Sequence, residues 1–471
     1  MPPKGGTGAA RAGSGRGRSE RYWCAWALTG EPDTSGARAG VVVEVDGGRI
    51  VSVGESAEPP PDARRLAGLT LPGLANAHSH AFHRALRGRT GENGGSFWTW
   101  RERMYRVAAR LDPDSYLRLA RAVYAEMALA GITCVGEFHY LHHAPGGRPY
   151  ADPNAMGAAL AQAAADAGIR ITLLDTCYLR GGLAADGTPL ALDGAQLRFA
   201  DPGVEQWAGR VAAFRPGGHA RVGAAVHSVR ACAPADIARV AELGADAGWA
   251  AVHIHLSEQP AENSACGAAH GRTPAELLDD TGFLARTRPT LVHATHLTPG
   301  DTGLIRASGA GVCLCPTTER DLADGLPPLS DLAGVPLSLG SDGHSTIDMF
   351  EEARGAEMHE RLRTGRRGTL PAAALLGALH GSGHTGALGW PDAGRIAPGY
   401  RADLVTLDLD GIRLAGADPA GAAAEAAVFA ASAADVRHVM ADGRWIVRDG
   451  GHTLLPDAPR DLHTAIKELI A

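Results

Sequence analysis

The sequence predicts an α/β protein in which a (β/α)8 barrel carries a small β-sandwich domain built from both chain ends. Three observations lead to this prediction. The two ends contain strand-like segments with hairpin turns, the long middle alternates helix-like and strand-like segments, and eight strands can be counted in that middle. Eight strands favour a barrel over a doubly wound sheet, which usually has fewer strands and a glycine-rich first turn. No GxGxxG motif follows the first strand here.

The two ends of the chain are typical of β structure. Near the start, RYWCAWAL and GVVVEVDGGRIVSVG predict strands, with Asp46-Gly47-Gly48 as a hairpin turn. Near the other end, ADLVTLDLD at 402–410 and VRHVMADGRWIVRDG at 436–450 predict more hairpin strands. Two β segments that flank a long middle indicate one small β domain assembled from both ends.

In the middle, Ala- and Leu-rich helical segments end in Ala-Gly, and a short apolar strand follows. Glycine just past a helix supplies a left-handed cap, so joints such as Ala167-Gly168 and Ala310-Gly311 predict helix ends. One helix is predicted to begin after Asp112 as its N-cap, with Pro113 in the first turn. The predicted strands are the segment ending at His78, then 132–139, 169–175, 221–227, 251–256, 290–297, 311–316 and 336–342. The predicted limits are 1–20 for a disordered tail, 21–68 with 393–450 for the β-sandwich domain, 69–392 for the barrel and 451–471 for a C-terminal helical segment.

The composition excludes several classes of protein. A chain of 471 residues with 45% hydrophobic and 21% charged residues can build a sizeable core, which excludes wholesale disorder. A net charge of −7 lacks the basic footprint of a nucleic-acid-binding protein, and no run of apolar residues is long enough to predict a membrane span. The seven scattered cysteines form no CxxC pair, which indicates a reducing compartment. We therefore predict a cytoplasmic protein without nucleic-acid or membrane partners.

Histidines collect at the carboxyl ends of predicted strands, where a barrel builds its active site. In strand order, these positions are His78 and His80, His253 and His255, His293 and His296, and finally Asp342. Residues i and i+2 of a strand point the same way, so both histidines of an HxH pair can reach one ion. A lone HxH is more often a packing or surface pair. Its repetition, with further ligands at other strand ends, predicts a metal site.

Several motifs resemble the amidohydrolase superfamily: LPGLANAHSH, HIHLSEQ, LVHATH and GSDGH at strand ends, and GRIAPGYRADLVTLD near the terminal β segment. Within that superfamily, HSHAFHRALRG, SFWTWRERMYR, EFHYLHH, HSVRA and CPTTERDLADG resemble the formimidoylglutamate deiminases of histidine degradation. These motifs span 71–345, and the superfamily pattern continues to about 410. The resemblance implies a metal-dependent hydrolase of linear amidines, which converts N-formimino-L-glutamate and water to N-formyl-L-glutamate and ammonia.

The resemblance also implies roles for single residues. It implies one divalent metal, with Zn²⁺ favoured, because superfamily members with two bridged metals use a carboxylated lysine, and this chain has only Lys4 and Lys467. The implied metal ligands are His78, His80, His255 and Asp342, the implied catalytic residues are Glu258, His293 and Asp342, and the implied substrate-binding residues are Arg101, Tyr140, His227, Arg230 and His83.

In the implied reaction, hydroxide is available near neutral pH because zinc lowers the pKa of bound water. Asp342 accepts a proton, Glu258 protonates the leaving nitrogen and His293 polarises the substrate. A small dicarboxylate substrate needs cationic partners, and arginine binds carboxylates bidentately. Two positions depart from the family: His83 stands where glutamine is usual, and Gly343 where serine is usual. Both bear on substrate preference.

Two other hypotheses stay open. A deaminase of an aromatic base such as guanine shares the metal site, and an aromatic clamp without a cation in the pocket favours it. A barrel that lost catalysis and became an assembly protein is disfavoured, because the implied catalytic residues are retained. A homodimer is expected by analogy alone. Among residues outside these roles, Trp98 and Trp100 could form a pocket wall or pack a loop, and we favour packing. We interpret Cys313 and Cys315 as buried thiols without ligand partners nearby.

Overall fold

The structure is a computed structural model that describes residues 19–31, 34–89 and 97–470. The predicted tail at 1–20 lies outside the described residues except for its last two, and Glu20 already begins a strand. In chain order the strands are β1 (Glu20–Ala27), β2 (Arg38–Asp46), β3 (Arg49–Glu55), β4 (Ala63–Pro72), β5 (Leu74–Ser79), β6 (Ile132–His139), β7 (Arg170–Cys177), β8 (Gly182–Leu183), β9 (Pro189–Leu190), β10 (Ala220–Val226), β11 (Val252–Leu256), β12 (Thr290–His293), β13 (Gly311–Leu314), β14 (Leu337–Leu339), β15 (Leu404–Leu407), β16 (Val436–Ala441), β17 (Arg444–Arg448) and β18 (Gly451–His452).

Helices follow most strands of the middle region. In chain order they are α1 (Phe97–Arg110), α2 (Pro113–Leu129), α3 (Ala155–Ala167), α4 (Val204–Ala213), α5 (Pro234–Asp246), α6 (Pro260–His270), α7 (Pro274–Asp280), α8 (Phe283–Thr287), α9 (Pro299–Ser308), α10 (Pro316–Asp321), α11 (Met349–Thr364), α12 (Ala372–Gly377), α13 (Pro419–Phe429) and α14 (Ala458–Ile470). Short 3₁₀ segments lie at Ala81–Leu86, Gly194–Arg198, Leu329–Leu332 and Ala433–Asp435, and a π-helical segment at Ala378–Ala387.

The start of α2 shows how local sequence sets a helix boundary. The Asp112 side chain accepts a hydrogen bond from the Ser115 backbone N–H at 2.7 Å, and Pro113 occupies the first turn. Such a cap satisfies an N–H group that has no partner inside the helix. The predicted N-cap is therefore confirmed. By contrast, the helix end predicted at Ala310-Gly311 lies earlier in the chain: α9 ends at Ser308, and Gly309 adopts the left-handed conformation.

The middle of the chain forms the predicted barrel. Its parallel sheet has the order β14-β13-β12-β11-β10-β7-β6-β5. The first and last strands meet where the Asp342 N–H donates to the His78 carbonyl at 3.0 Å and the His80 N–H donates to the Asp342 carbonyl at 3.3 Å. Every residue of β6 and β7 is buried, which is typical of strands covered on both faces. The predicted (β/α)8 fold is thus confirmed, and the carboxyl ends of its strands meet at one mouth.

The two chain ends form a separate sheet in the order β18-β17-β16-β15-β4-β1-β2-β3. The sheet folds back on itself: the Ile50 N–H donates to the Tyr400 carbonyl and the Ala402 N–H to the Gly48 carbonyl, each at 2.9 Å. Side chains from β1, β2 and β3 therefore share one apolar core with Leu404 and Met440. The small β domain is built from both ends, as predicted.

The predicted domain limits differ from the observed elements in detail. β4 continues past the predicted limit at 68 to Pro72, because Leu71 pairs with Val405 in the terminal sheet before the chain enters the barrel. Helix α13 lies inside the segment predicted as pure β structure, and β18 lies just beyond its end. The division of the chain at 69–392 stays a prediction. No helix in the three described ranges is long and apolar enough to cross a membrane.

Candidate active site

Four side chains predicted as metal ligands meet at the mouth of the barrel. The Nε2 atoms of His78 and His255 lie 3.1 Å apart. Oδ1 of Asp342 lies 3.2 Å from His80 Nε2 and 3.4 Å from His78 Nε2. All four residues are buried. They come from three places in the barrel, the end of β5, β11 and the loop after β14, so only the closed fold brings them together.

The geometry of this cluster fits a divalent metal. Ligand atoms bonded at about 2.0–2.1 Å in a tetrahedral site lie about 3.3–3.4 Å from each other, close to the spacing observed here. His80 Nδ1 lies 3.0 Å from the Phe138 carbonyl, and His255 Nδ1 lies 3.0 Å from the His227 carbonyl. An Nδ1–H that donates to a carbonyl leaves Nε2 with a free lone pair, which is the arrangement of metal-binding histidines. The donor set of imidazoles and one carboxylate suits Zn²⁺.

Protonation supports the same conclusion. Burial alone would raise the pKa of Asp342, but the adjacent His78 and His80 side chains hold it well below its usual range. Burial lowers the pKa of His78 to about 3, and it lowers the pKa of His255 well below the usual value. Neutral imidazoles and an ionised carboxylate are the forms that bind a metal.

Glu137 supports the backbone between the two ligands of β5. Its Oε2 accepts a hydrogen bond from Ser79 Oγ and its Oε1 from the Ala81 N–H, both at 2.7 Å. Burial raises the pKa of Glu137 to about 7. The departure at Gly343 is compatible with a side chain, because an added Cβ would meet Thr318 Oγ1 at 3.4 Å, an ordinary contact distance. The fold therefore does not require glycine at this position.

The two residues predicted to act with Asp342 in catalysis stand beside the cluster. His293 Nε2 lies 3.7 Å from Glu258 Oε1 and 3.9 Å from Asp342 Oδ2. Its backbone φ of 70° lies in the left-handed region, which non-glycine residues rarely adopt and which occurs often at active sites. Burial alone would lower the pKa of His293, but the carboxylates of Glu258, Glu319 and Asp342 raise it well above its usual value.

Glu319 was not predicted. It lies fully buried in the first turn of α10, and its Oε1 is 3.6 Å from His293 Nδ1. The same oxygen accepts the Cys315 N–H at 2.8 Å. Cys315 is also closer to the site than expected, because its sulfur and one donor atom each of His293 and Asp342 all lie within 4.8 Å of one another. The interpretation of Cys315 as a thiol without ligand partners nearby is therefore wrong.

The five predicted substrate-binding residues line one pocket with three of the four predicted metal ligands, His80, His255 and Asp342. The pocket contains about 950 Å³ of empty space, including its open mouth. Arg101 Nε donates to Tyr105 Oη at 2.6 Å, which fixes the guanidinium at the pocket wall. His83 Nε2 lies 3.0 Å from Tyr140 Oη. The pocket residues from the predicted set are His83, Arg101, Tyr140, His227 and Arg230.

Arg230 reaches two carboxylates. Its Nη2 lies 3.6 Å from Glu258 Oε2, and its Nε lies 3.3 Å from Glu262 Oε2. Burial alone would lower the pKa of Arg230, but Glu262 and Glu258 raise it above the usual value. One cation therefore contacts both the predicted proton shuttle and a buried glutamate that the sequence did not single out.

Two tryptophans of α1 also line the pocket, so the interpretation of Trp98 as a packing residue is wrong, whereas Trp100 packs against the core as expected and lines the pocket as well. Trp98 is 52% exposed and stands at the pocket wall, 5.6 Å from the Arg101 guanidinium. Trp100 meets the His83 ring edge-on with the ring centres 5.0 Å apart. Tyr178 contributes to the same wall. The pocket thus combines aromatic surface with two guanidinium groups.

A second group of potential ligands lies outside this pocket. His139, His142 and Asp175 come within ligand distance of each other. Arg210, however, binds the two Asp175 oxygens at 2.7 and 2.9 Å. The Trp207 indole N–H donates to Asp175 at 3.0 Å as well. The carboxylate is therefore already satisfied, and the group is a structural hydrogen-bond network.

Comparisons with known proteins agree with this geometry. The chain is 41% identical over 411 residues to the formimidoylglutamate deiminase of Pseudomonas aeruginosa, covering 83% of this chain and 87% of that protein. It is 32% identical to the 8-oxoguanine deaminase of the same organism, covering 88% of this chain and 90% of that protein. The solved amidohydrolase of Brucella melitensis superposes with a TM-score of 0.84 at 33% identity, covering 96% of this chain and 100% of that one. The family model described as "Amidohydrolase family" matches residues 69–446. The chain belongs to the amidohydrolase family, whose members are metal-dependent hydrolases.

Proposed function

We propose that this protein hydrolyses N-formimino-L-glutamate to N-formyl-L-glutamate and ammonia. The observation that carries the proposal is the placement of two arginines, Arg101 and Arg230, in the pocket that three of the four proposed metal ligands also line. A substrate with two carboxylates loses their hydration when it enters such a pocket, and guanidinium groups replace that hydration well. The 41% identical formimidoylglutamate deiminase supports the same substrate.

The metal in this proposal is one Zn²⁺ held by His78, His80, His255 and Asp342. A divalent metal bound there supplies a hydroxide nucleophile near neutral pH, because it lowers the pKa of a coordinated water. Only Lys4 and Lys467 occur in the sequence, so no lysine lies in the barrel to bridge a second metal. The proposed site therefore binds one metal ion per chain.

Proton movement in the reaction is assigned to Asp342 and Glu258. Asp342 remains ionised because its contacts with His78 and His80 hold the pKa of its carboxyl low, so the carboxylate can accept a proton from the attacking water. Glu258 faces the pocket beside His293 and can carry a proton to the imino nitrogen. As the tetrahedral carbon collapses, that nitrogen leaves as ammonia and the formyl carbonyl forms. Both hydrogens of the water thus end on the leaving nitrogen, one as the water attacks and the other as the hydroxyl of the tetrahedral carbon becomes the carbonyl.

The other side chains orient the substrate. His293 Nε2 stands between Glu258 and Asp342, where it can hydrogen-bond to the group that develops charge. Arg101, Tyr140, His227 and Arg230 line the same pocket and can provide partners for the two substrate carboxylates. His83 keeps a hydrogen-bonding side chain beside Tyr140, so the departure from glutamine preserves the polar character of this wall.

A second candidate function has a specific observation in its favour. Trp98, Trp100 and Tyr178 give the pocket aromatic walls that could stack on a heterocycle, and a relative of 32% identity is an 8-oxoguanine deaminase. A neutral base offers no carboxylate to the two arginines, however. We therefore rank deamination of an aromatic base second. A homodimer and a cytoplasmic location stay predictions.

The experiment that separates these functions is ammonia release by metal-reconstituted protein. N-formimino-L-glutamate, N-formimino-L-aspartate, guanine and 8-oxoguanine are offered in parallel at equal concentration. We expect the highest kcat/KM for N-formimino-L-glutamate. Turnover of a purine without turnover of the formimino amino acids would contradict the proposal.

A further inference from the structure

Glu262 is a buried carboxylate that the proposed reaction does not use. It lies in the first turn of α6, and its side chain is fully buried. Its Oε1 lies 3.3 Å from the backbone N–H of Ser257, which donates to it. Ser257 itself has a left-handed φ of 51° and lies between His255 and Glu258 in the chain. Glu262 therefore contacts the turn that carries both a proposed metal ligand and the proposed proton shuttle.

The ionic partner of Glu262 is Arg230. The second carboxylate oxygen, Oε2, lies 3.3 Å from Arg230 Nε. Within the described part of the chain, neither of these two atoms has a hydrogen-bond partner, so the contact between them is an ion pair. An ionised carboxylate is strongly destabilising when it is buried without a cation, so the Arg230 contact offsets the burial of Glu262.

The contact occupies one edge of the guanidinium. Glu262 contacts the Nε edge, and Nη2 of the same guanidinium lies 3.6 Å from Oε2 of Glu258, which lines the pocket together with Arg230. That distance is an ion-pair contact and is longer than a hydrogen bond. If the charge on Glu262 were lost, Glu258 would be the remaining carboxylate in contact with Arg230. The Arg230 guanidinium would then move toward Glu258, the proposed proton shuttle, and the substrate carboxylate would lose its partner.

We propose that Glu262 is a positioning residue that determines specificity for substrates with a carboxylate. It anchors the Nε edge of Arg230, so that the Nη edge stays available to the substrate carboxylate and Glu258 stays available to the reacting nitrogen. This inference rests on the proposed function and extends it to a residue that contacts neither the substrate nor the metal ligands.

The first test is Glu262→Gln, which keeps the shape of the side chain and removes its charge. A charge-assisted contact of this kind corresponds to about tenfold or more in affinity. We expect KM for N-formimino-L-glutamate and the dissociation constant of glutarate, measured by calorimetry, to rise by about that factor, with a smaller change in kcat. The control is Glu360→Gln, because Glu360 is also buried and pairs with Arg363 at 2.8 Å, on α11 outside the pocket. It should leave both constants unchanged.

A double-mutant cycle separates positioning from general structural support. Arg230→Met alone should raise KM, and adding Glu262→Gln in that background should change KM by less than about twofold, because the glutamate acts through the arginine. An equal rise of KM in both backgrounds would overturn the inference. If Glu262→Gln does not fold, Glu262→Asp replaces it: the shortened carboxylate should still weaken glutarate binding, and unchanged binding would overturn the inference.

The two proposals fail in different ways. If the wild-type protein does not turn over N-formimino-L-glutamate, the proposed function is wrong. The role of Glu262 is then decided by glutarate alone, with weaker binding in Glu262→Gln than in wild type supporting it and equal binding contradicting it. If the wild-type protein is active and Glu262→Gln has an unchanged KM, only the inference about Glu262 is wrong.

Discussion

The Nε2 atoms of His78 and His255 lie 3.1 Å apart, although 176 residues of chain separate β5 from β11 at these positions. Both imidazoles are buried, and burial holds both pKa values low. Two neutral imidazoles that share such a small space are stabilised when a cation accepts both lone pairs. This relationship is the structural basis of the metal site and leads to the first prediction.

His255→Ala should abolish metal binding, whereas His253→Ala should not. His253 lies on the same strand two residues earlier, but its Nε2 is 2.7 Å from the Ala387 carbonyl and is therefore already used. We expect loss of most bound zinc and at least ~10²-fold lower activity for His255→Ala. Metal analysis of the purified variants checks this. Equal zinc loss in both variants would show that the assignment within the HxH pair is wrong.

Glu258→Gln should retain the metal and lose most of its activity. Glutamine has nearly the same shape but cannot carry a proton between water and the leaving nitrogen. Loss of a general acid–base group lowers kcat by about 10²–10⁴-fold. The measurement is kcat together with zinc content. Wild-type kcat in a zinc-loaded variant would place the proton shuttle on another residue.

Arg101→Met should raise KM for the dicarboxylate substrate by about tenfold, because methionine keeps the aliphatic stem and removes the charged fork. The guanidinium is held beside Tyr105 and Trp98 at the pocket wall, so the loss should affect binding more than kcat. Arg272→Met is a suitable control, since Arg272 is exposed and pairs with Asp280. Steady-state kinetics that show the same KM for both variants would contradict the role of Arg101.

The stability of the fold should decrease as the pH falls below about 6.5. Burial lowers the pKa of His253 and His384 to about 4 and that of His380 to about 3. Below pH 6.5 the unfolded chain therefore binds protons that the folded chain does not, and the free energy of unfolding falls until the pH reaches about 4. At pH 5 the loss is roughly 2 kcal/mol for each such histidine.

Urea unfolding at pH 7.5 and pH 5 measures this decrease. His380→Leu removes one titrating group from the core, so the difference between the two pH values should shrink by about 2 kcal/mol. Nε2 of His380 has no hydrogen-bond partner within the described ranges, which makes this residue the cleanest choice. A difference that does not change in the variant would mean that His380 is accessible to protons in the fold.

Much of the fold could be predicted from the sequence because the signals are local. The eight barrel strands are short apolar runs with glycine at the preceding helix ends, and each predicted run overlaps an observed strand, although β12, β13 and β14 end earlier than predicted. The histidines at the strand ends could be assigned to the same mouth of the barrel from topology alone, because all parallel strands of a barrel end on the same side. The exact limits of the strands could not be predicted in the same way. The end of β4, for example, depends on its long-range pairing with β15.

The residues that were missed share a different property. Glu262 and Glu319 are ordinary acidic residues on the first turns of helices, where such residues are common for local reasons. Their contacts with Arg230 and His293 arise only when strands far apart in sequence come together. Trp98 was misjudged for the same reason, because local sequence cannot distinguish a packed tryptophan from one at a pocket wall.

Hydrolysis of one particular C–N bond of N-formimino-L-glutamate can be established by identifying the products. Zinc-loaded protein is incubated with the substrate, and the products are quantified by nuclear magnetic resonance and an ammonia assay. We predict N-formyl-L-glutamate and ammonia in equal amounts. Formation of L-glutamate and formamide would show that the other C–N bond is cleaved, and absence of any product would contradict the claim altogether.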